Sequence, residues 1–173
     1  MISAHCSATE KIARFLYEKV LRSFVFTKMQ STTFVNEADS IRKLNHYTHV
    51  EHRLHPTTLF ATIKITSYHT IASHESIVQN LGYYLSDRTV TNNLQYVSIT
   101  QPQRLYISIT TIQALVKLFL ENNIFYYDGK IYEFTRGCPN SLLLSEMLSN
   151  IYTAYWQPAL FSDPRLRNEL HGR

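Results

Sequence analysis

The sequence predicts an α+β fold that is mostly helical and carries a small antiparallel sheet. The chain has 173 residues, of which 45% are hydrophobic and 17% are charged, so it is long and apolar enough to fold around one core. Apolar residues recur at helical spacing in five separate segments, which predicts five amphipathic helices. An Asp-Gly pair between two runs rich in aromatic residues predicts a β-hairpin at residues 124–134.

The first helix is predicted from a capping box at residues 7–10, which read Ser-Ala-Thr-Glu, and it should run to about Phe24. Its predicted buried stripe consists of Ile12, Phe15, Leu16 and Val20. Four basic residues fall mostly off that stripe: Lys11, Arg14, Lys19 and Arg22. These residues either contact a nucleic-acid backbone or form a solvated basic face.

Asn36 is predicted to cap a second helix, whose apolar positions are Ala38, Ile41, Leu44 and Tyr47. Histidine then recurs at every third position, at His46, His49, His52 and His55. Four imidazoles could fill the tetrahedral shell of a zinc ion. The stretch has no Cys, however, and a helix would spread such a set around its surface. A polar, solvated segment is therefore preferred to a metal site.

The middle of the chain is predicted to hold a strand and two helices. Residues 58–65 alternate, with Leu59, Ala61, Ile63 and Ile65 on one face of a strand. A third helix should start at residues 73–76 and bury Ile77, Val78, Leu81 and Tyr84. Residues 86–103 are predicted to form a long loop or a weak edge strand around 96–99. Ser108 should cap a fourth helix, which ends at about Asn122 and turns inward Ile112, Leu115, Val116, Phe119 and Leu120.

A hairpin, a loop and a helix follow one another at residues 123–156. Asp128 and Gly129 tolerate the positive φ that both central residues of a type I′ turn require. The loop at 135–141 contains Gly and Pro, and Asn140 or Ser141 can cap the helix that follows. The predicted apolar positions of that helix, which should end near Trp156, are Leu144, Met147, Leu148, Ile151 and Tyr155.

Charge, aromatic content and cysteine usage limit the classes of partner and the cellular location that we expect for this protein. The net charge of +4 is compatible with a polyanionic partner, and the 12 Tyr and 9 Phe can serve either a core or base stacking. Cys6 and Cys138 form no metal or disulfide pattern, so we expect reduced thiols in an intracellular protein, either nuclear or cytoplasmic. The sequence has no apolar run of about 20 residues and no secretory h-region, so we expect no membrane partner.

These stretches resemble a reverse transcriptase domain, most closely that of the Penelope-like retroelement polymerases. The family has a Gly-x-x-Gly-Ser loop and then a helix reading roughly Leu-x-x-x-Leu-Ala-Asn-Ile-(Phe/Tyr). Here the loop is at 137–141, with Asn140 in the place of the second glycine, and the helix carries 148–152. The family's first catalytic strand reads Thr-Leu-Phe-x-(Thr/Ser)-Phe-Asp-(Val/Ile)-Thr-Asn-Leu-Tyr-Thr. The residues that match this pattern are Thr58, Leu59, Phe60, Thr62, Ile65, Thr66 and Thr70.

The resemblance covers roughly residues 3–156 and implies the partial fingers and palm of a reverse transcriptase. Residues 1–57 would be a fingers-like helical region with the His-rich loop, residues 58–157 a partial palm, and residues 158–173 a truncated tail. The family's Tyr-x-Asp-Asp strand pair should follow the last helix, and no two adjacent carboxylates occur there. The implied ancestral activity is RNA-directed DNA polymerisation with Mg²⁺ and deoxynucleotides.

Lys64 stands in the place of the family's catalytic aspartate, which leads us to predict a pseudoenzyme. The two Mg²⁺ ions of such a polymerase need carboxylate ligands. A lysine there repels them, because like charges about 4 Å apart repel by about 4 kcal/mol even at an effective dielectric constant of about 20. We therefore expect no catalytic residue, no bound metal and no cofactor, with Mg²⁺ implied only for the ancestral activity.

The family-motif positions expected to contact substrate or nucleic acid are Lys64, His69, Arg136, Gly137, Asn140 and Ser141. The resemblance puts His69 where the family has a tyrosine beneath the incoming sugar. It also puts the loop glycine in close approach to a base pair. The predicted function is a degenerate reverse transcriptase-like domain without polymerase activity. The alternatives are a non-catalytic nucleic-acid-binding module and a fragment without a selected role; the oligomeric state is left open.

Overall fold

A mostly helical α+β fold is present, as the sequence predicts. The computed structural model describes residues 9–22, 34, 36–62, 64–65, 68–86, 96–98, 106–139, 143–160 and 170. The α-helices within these residues are α1 (Glu10–Phe15), α2 (Glu37–His49), α3 (His74–Ser86), α4 (Ile109–Glu121) and α5 (Leu143–Leu160). The strands there are β1 (Tyr96–Ser98), β2 (Tyr106–Ser108), β3 (Ile124–Tyr127) and β4 (Lys130–Glu133). Among these helices, none is both long enough and apolar enough to cross a membrane.

The hydrophobic core lies between four helices. Helix α3 packs against both α4 and α5, and the first helix also packs against α4 and α5. The largest fully buried side chains are Leu16, Leu21, Leu81, Leu85, Ile112, Phe119, Leu120, Leu144, Leu148 and Ile151. A side-chain hydrogen bond also joins α3 to α4, because the Gln113 amide donates to the Val78 carbonyl at 3.0 Å. The core is therefore built by the apolar stripes of amphipathic helices.

The first helix departs from its prediction in its cap and in its buried face. It begins at Glu10 and continues beyond Phe15 as a π-helix over Leu16–Leu21. The Thr9 hydroxyl does not cap the helix but hydrogen-bonds Asn123 Oδ1 at 3.3 Å, and Ser7 of the predicted capping box lies outside the described residues. Phe15 is exposed, contrary to prediction. The reason is geometric, since a neighbouring residue lies about 100° away around a helix and Leu16 faces the core.

The cap of α2 is confirmed, whereas the predicted burial of its apolar face is wrong. Asn36 Oδ1 accepts a hydrogen bond from the Asp39 backbone N–H at 2.9 Å. Of the predicted apolar positions only Tyr47 is buried, and Ile41 is 61% exposed. Helical spacing predicts which residues share a face, but it does not predict whether another element covers that face.

The strand predicted at 58–65 is wrong wherever the structure describes it. Residues 58–62 and 64–65 are neither helix nor strand, and Leu59 is 93% exposed. A strand requires a hydrogen-bonded neighbour. Within the described residues the strands pair only as β1 with β2 and as β3 with β4. Alternating polarity without such a partner does not suffice to form a strand.

The starts of α3 and α4 are confirmed in detail. Ser73 Oγ accepts from the Ser76 N–H at 3.2 Å, and Ser108 Oγ accepts from the Thr111 N–H at 3.1 Å. The weak strand predicted near residue 97 is also present as β1. Its partner β2, which the sequence did not reveal, leads directly into the Ser108 cap.

The hairpin of β3 and β4 is confirmed with its turn. Asp128 has φ of 48° and Gly129 has φ of 74°, the two positive values that a type I′ turn requires. The strands pair in register from Ile124 opposite Glu133 to Tyr127 opposite Lys130. Almost all of the hairpin's side chains are exposed, so the hairpin extends away from the helical core.

Helix α5 buries most of the residues predicted for it. Leu144, Met147, Leu148 and Ile151 are buried, whereas Tyr155 is mostly exposed and stacks on Tyr83 of α3 with ring centroids 6.0 Å apart. The helix continues four residues beyond its predicted end near Trp156, to Leu160. The predicted caps Asn140 and Ser141 lie outside the described residues.

Candidate functional site

Two stretches far apart in sequence meet at the amino-terminal ends of α3 and α5. The first is the segment 69–74, and the second is the loop 136–138. The Gly137 N–H donates to the Ala72 carbonyl at 2.9 Å, and the Cys138 N–H donates to the His69 carbonyl at 3.0 Å. We call this junction the loop clamp.

Side chains add further hydrogen bonds to the loop clamp. Arg136 Nη2 donates to the Ile71 carbonyl at 2.9 Å. His74 Nε2 lies 2.8 Å from the Gly137 carbonyl, and because a carbonyl oxygen only accepts, this nitrogen carries a proton. His69 Nδ1 lies 3.5 Å from Ser149 Oγ on α5. The clamp therefore ties its loop to α3 and its 69–74 segment to α5.

Gly137 is the position in the loop clamp where a side chain would be most strained. Its φ is 63°, in the left-handed region that residues with a Cβ rarely adopt. A Cβ built at this position would overlap the His69 carbonyl oxygen. The resemblance implies that this glycine approaches a base pair, whereas the neighbour that it approaches in the structure is the chain's own backbone.

Cys138 forms the buried side of the loop clamp. Burial raises the pKa of its thiol to about 11, although the nearby Ser145 side chain opposes part of that rise. A buried, protonated thiol is a weak nucleophile and a weak metal ligand, because both roles require the thiolate. Cys138 is thus suited to packing and not to chemistry.

The structure brings together three of the six family-motif positions predicted from the sequence. His69, Arg136 and Gly137 meet in the loop clamp, whereas Lys64 is exposed in irregular backbone before it. Asn140 and Ser141 lie outside the described residues. Sequence reasoning missed His74 and Ser149 as partners of the clamp, and no local pattern could have indicated them, since both contacts are long-range.

The histidine series of α2 does not converge. His46 and His49 lie on the helix, and His46 Nδ1 is 3.2 Å from Glu51 Oε1. His52 and His55 follow in irregular backbone. Across the described part of the chain, no group of three or more His, Cys, Asp or Glu side chains could hold a metal ion.

The basic side chains of the first helix remain on its outer surface. Lys11, Lys19 and Arg22 are exposed, on a helix whose buried residues include Leu16 and Val20. Arg14 is bound to Glu10 of the same helix at 2.8 Å. Three of the four predicted basic residues therefore present a positive charge that no ion pair among the described residues neutralises.

No protein-family model, curated protein or solved structure matches this chain. The resemblance to reverse transcriptases therefore rests on the residues quoted for it. Information on function that does not depend on this resemblance comes from the geometry of the loop clamp and of the exposed surfaces.

Replacing Gly137 with Ala should destabilise the fold far more than replacing Gly129. Both glycines have positive φ, which costs a residue with a Cβ about 1–2 kcal/mol. A Cβ at Gly129 would meet only the Tyr126 hydroxyl at an ordinary 3.9 Å, whereas a Cβ at Gly137 meets backbone, which adds about 1–3 kcal/mol of overpacking. Urea unfolding of the Gly137→Ala and Gly129→Ala variants measures the difference. Equal losses of stability would show that the close approach does not constrain the fold.

Stability should fall as the pH rises through the window set by Cys138. The folded thiol has its pKa raised from 9.0 to about 11, so the folded state favours the protonated form. That preference is fully present below pH 9 and is lost by about pH 11, which amounts to about 2–3 kcal/mol. The measurement is urea unfolding across this window in a Cys6→Ser background. Adding Cys138→Ala removes the titrating thiol, and an identical pH dependence with and without it would contradict the assignment.

Proposed function

We propose that this chain is a degenerate reverse transcriptase-like domain that does not polymerise nucleic acid. The observation that supports the proposal best is the contact between His69 and Gly137 in the loop clamp. The resemblance assigns His69 to the position beneath the incoming sugar and the glycine loop to the neighbouring base pair. Both assignments require the two stretches to be adjacent. A chance likeness between separate motifs would not require them to be adjacent.

The order of elements along the chain gives further support. A helix, a hairpin, a glycine-containing loop and a long helix follow one another as α4, β3, β4, the loop at 135–141 and α5. The resemblance predicts this order, with the hairpin directly before the loop. The position of the hairpin directly before the glycine-containing loop therefore supports the proposal.

The proposed lack of polymerase activity follows from charge. Lys64 presents an exposed ammonium group where the family has a metal-binding carboxylate. Two-metal phosphoryl transfer needs several carboxylate oxygens around both ions. No suitable cluster of acidic side chains exists within the described residues. Restoring a single carboxylate would therefore not rebuild the site.

Primer extension tests this proposal directly. The wild-type protein and the Lys64→Asp variant are each incubated with an RNA template, a DNA primer, deoxynucleotides and either Mg²⁺ or Mn²⁺. We expect no templated product from either protein, because one added carboxylate does not make a two-metal site. A reverse transcriptase of known activity serves as the positive control. Templated product that increases with the concentration of the wild-type protein would overturn the proposal.

Retained binding of nucleic acid is the second candidate function, and the exposed basic surface of the first helix favours it. Lys11, Lys19 and Arg22 can neutralise phosphates, since their side chains are exposed and lie away from the core. Phosphate contacts supply affinity without sequence preference and without any catalytic group. A domain that has lost its metal ligands can therefore keep this property.

Removing the two lysines of this surface should weaken nucleic-acid binding in a salt-dependent way. For the Lys11→Gln, Lys19→Gln double variant we expect the log–log salt slope for a single strand to become shallower by about 1.4, which corresponds to two phosphate contacts. Fluorescence anisotropy with a labelled oligonucleotide measures the slope. Lys117→Gln is the matched control, because Lys117 is exposed but lies 3.7 Å from Glu121 on α4. A slope that changes no more in the double variant than in this control would exclude the helix as a contact surface.

A further inference from the structure

The hairpin has two chemically different faces. Residues paired across antiparallel strands point to the same side of the sheet, so the register of β3 and β4 assigns each side chain. Ile124, Tyr126, Ile131 and Glu133 lie on one side, which we call the aliphatic face. The other side, which we call the aromatic face, carries Phe125, Tyr127, Lys130, Tyr132 and Phe134.

The aromatic face is a continuous ladder of four rings. Phe134 lies against Phe125, with ring centroids 5.0 Å apart, and Phe125 stacks on Tyr132 at 5.4 Å and 17° between the planes. Tyr127 continues the ladder toward the turn, with its centroid 6.5 Å from that of Tyr132. Phe125 and Phe134 are partly buried, whereas Tyr132 is 41% exposed and Tyr127 is 66% exposed. The rings that are open to solvent are therefore the two nearest the turn.

The charges of the hairpin are divided between its faces. Lys130 is the charged residue of the aromatic face and pairs directly opposite Tyr127. Glu133 belongs to the aliphatic face, and Asp128 lies in the turn. Arg136 is exposed just beyond β4, although its guanidinium also bonds the Ile71 carbonyl. Exposed aromatic rings beside a cation, with no carboxylate on the same face, complement a ligand that has flat rings and negative charge.

We propose that the aromatic face of the hairpin binds single-stranded nucleic acid. An unpaired base stacks on the exposed ring of Tyr127, and Lys130 contacts an adjacent phosphate. Stacking on aromatic side chains is the usual means of holding single strands without sequence preference, because every base has a π-face. A duplex is a poorer ligand, since its bases already stack on one another. The inference rests on the proposed retention of nucleic-acid binding and names the surface that performs it.

Adjacent tyrosines on opposite faces provide a matched test of the aromatic face. The full-length protein and its variants are titrated, by fluorescence anisotropy, into labelled single-stranded RNA and DNA of about 12 nucleotides. Tyr127→Ala should weaken binding about 5- to 150-fold, the usual effect of removing one stacking ring. Tyr126→Ala should leave affinity unchanged, because Tyr126 is 71% exposed on the aliphatic face.

Conservative variants separate stacking from loss of the fold. Tyr127→Phe keeps the ring and should bind like the wild-type protein, whereas Tyr127→Leu keeps apolar bulk without a flat ring and should bind like Tyr127→Ala. Lys130→Gln should make the salt slope shallower by about 0.7, the value for one phosphate on a single strand. Urea unfolding of each variant confirms that the core is retained.

The outcomes distinguish this inference from the function on which it rests. If wild-type protein binds neither RNA nor DNA at about 50 mM salt, nucleic-acid binding itself is excluded. If it binds and Tyr127→Ala binds equally well, binding occurs elsewhere and the aromatic face is excluded. A larger loss with Tyr126→Ala than with Tyr127→Ala would assign the ligand to the aliphatic face and overturn the proposal. Preference for RNA or for DNA would identify which single strand is held.

Discussion

The close approach of Gly137 to the backbone at His69 and Thr70 is the constraint on which the arrangement of helices depends. The approach fixes the loop before α5 against the segment before α3, and these two helices then pack along their lengths. Three carbonyl oxygens of the segment accept hydrogen bonds from the loop, those of His69, Ile71 and Ala72. Two backbone segments can form hydrogen bonds at such close approach only if no Cβ lies between them. The packing of the two helices therefore depends on a glycine at position 137.

This constraint gives Gly137 a structural role that differs from the role implied by the resemblance. The resemblance to reverse transcriptases predicts a glycine that lets a base pair approach the loop. Here the space that a Cβ would fill is occupied by His69 and Thr70 of the same chain, and the Gly137 N–H and carbonyl are both bonded internally. A glycine whose backbone groups are already paired has little left to offer a nucleotide. Any ligand is therefore better served by the outer surfaces, namely the first helix and the hairpin.

Structural features that depend on neighbouring residues were predicted well, whereas features that depend on residues far apart in the sequence could not be predicted. The caps at Asn36 and Ser108 and the turn at Asp128 were predictable because their hydrogen bonds or dihedral angles involve residues within a few positions. The strand at 58–65 and the burial of α2 failed because each requires a partner element that spacing cannot supply. In the site, the resemblance assigned separate nucleotide contacts to His69 and to the glycine loop, but nothing in the sequence indicated that the two would meet or that His74 would bond the loop.

Loss of polymerase chemistry does not entail loss of nucleic-acid binding, because the two depend on different chemical groups. Catalysis needs carboxylates that hold two divalent cations, and a single lysine in their midst opposes both ions. Binding needs exposed cations and flat rings, which Lys19, Tyr127 and Lys130 supply without any metal. The groups also lie on different elements, so in the proposed domain a lysine at position 64 does not alter the two proposed binding surfaces. A domain of this kind can therefore be inert as an enzyme and still hold a single strand.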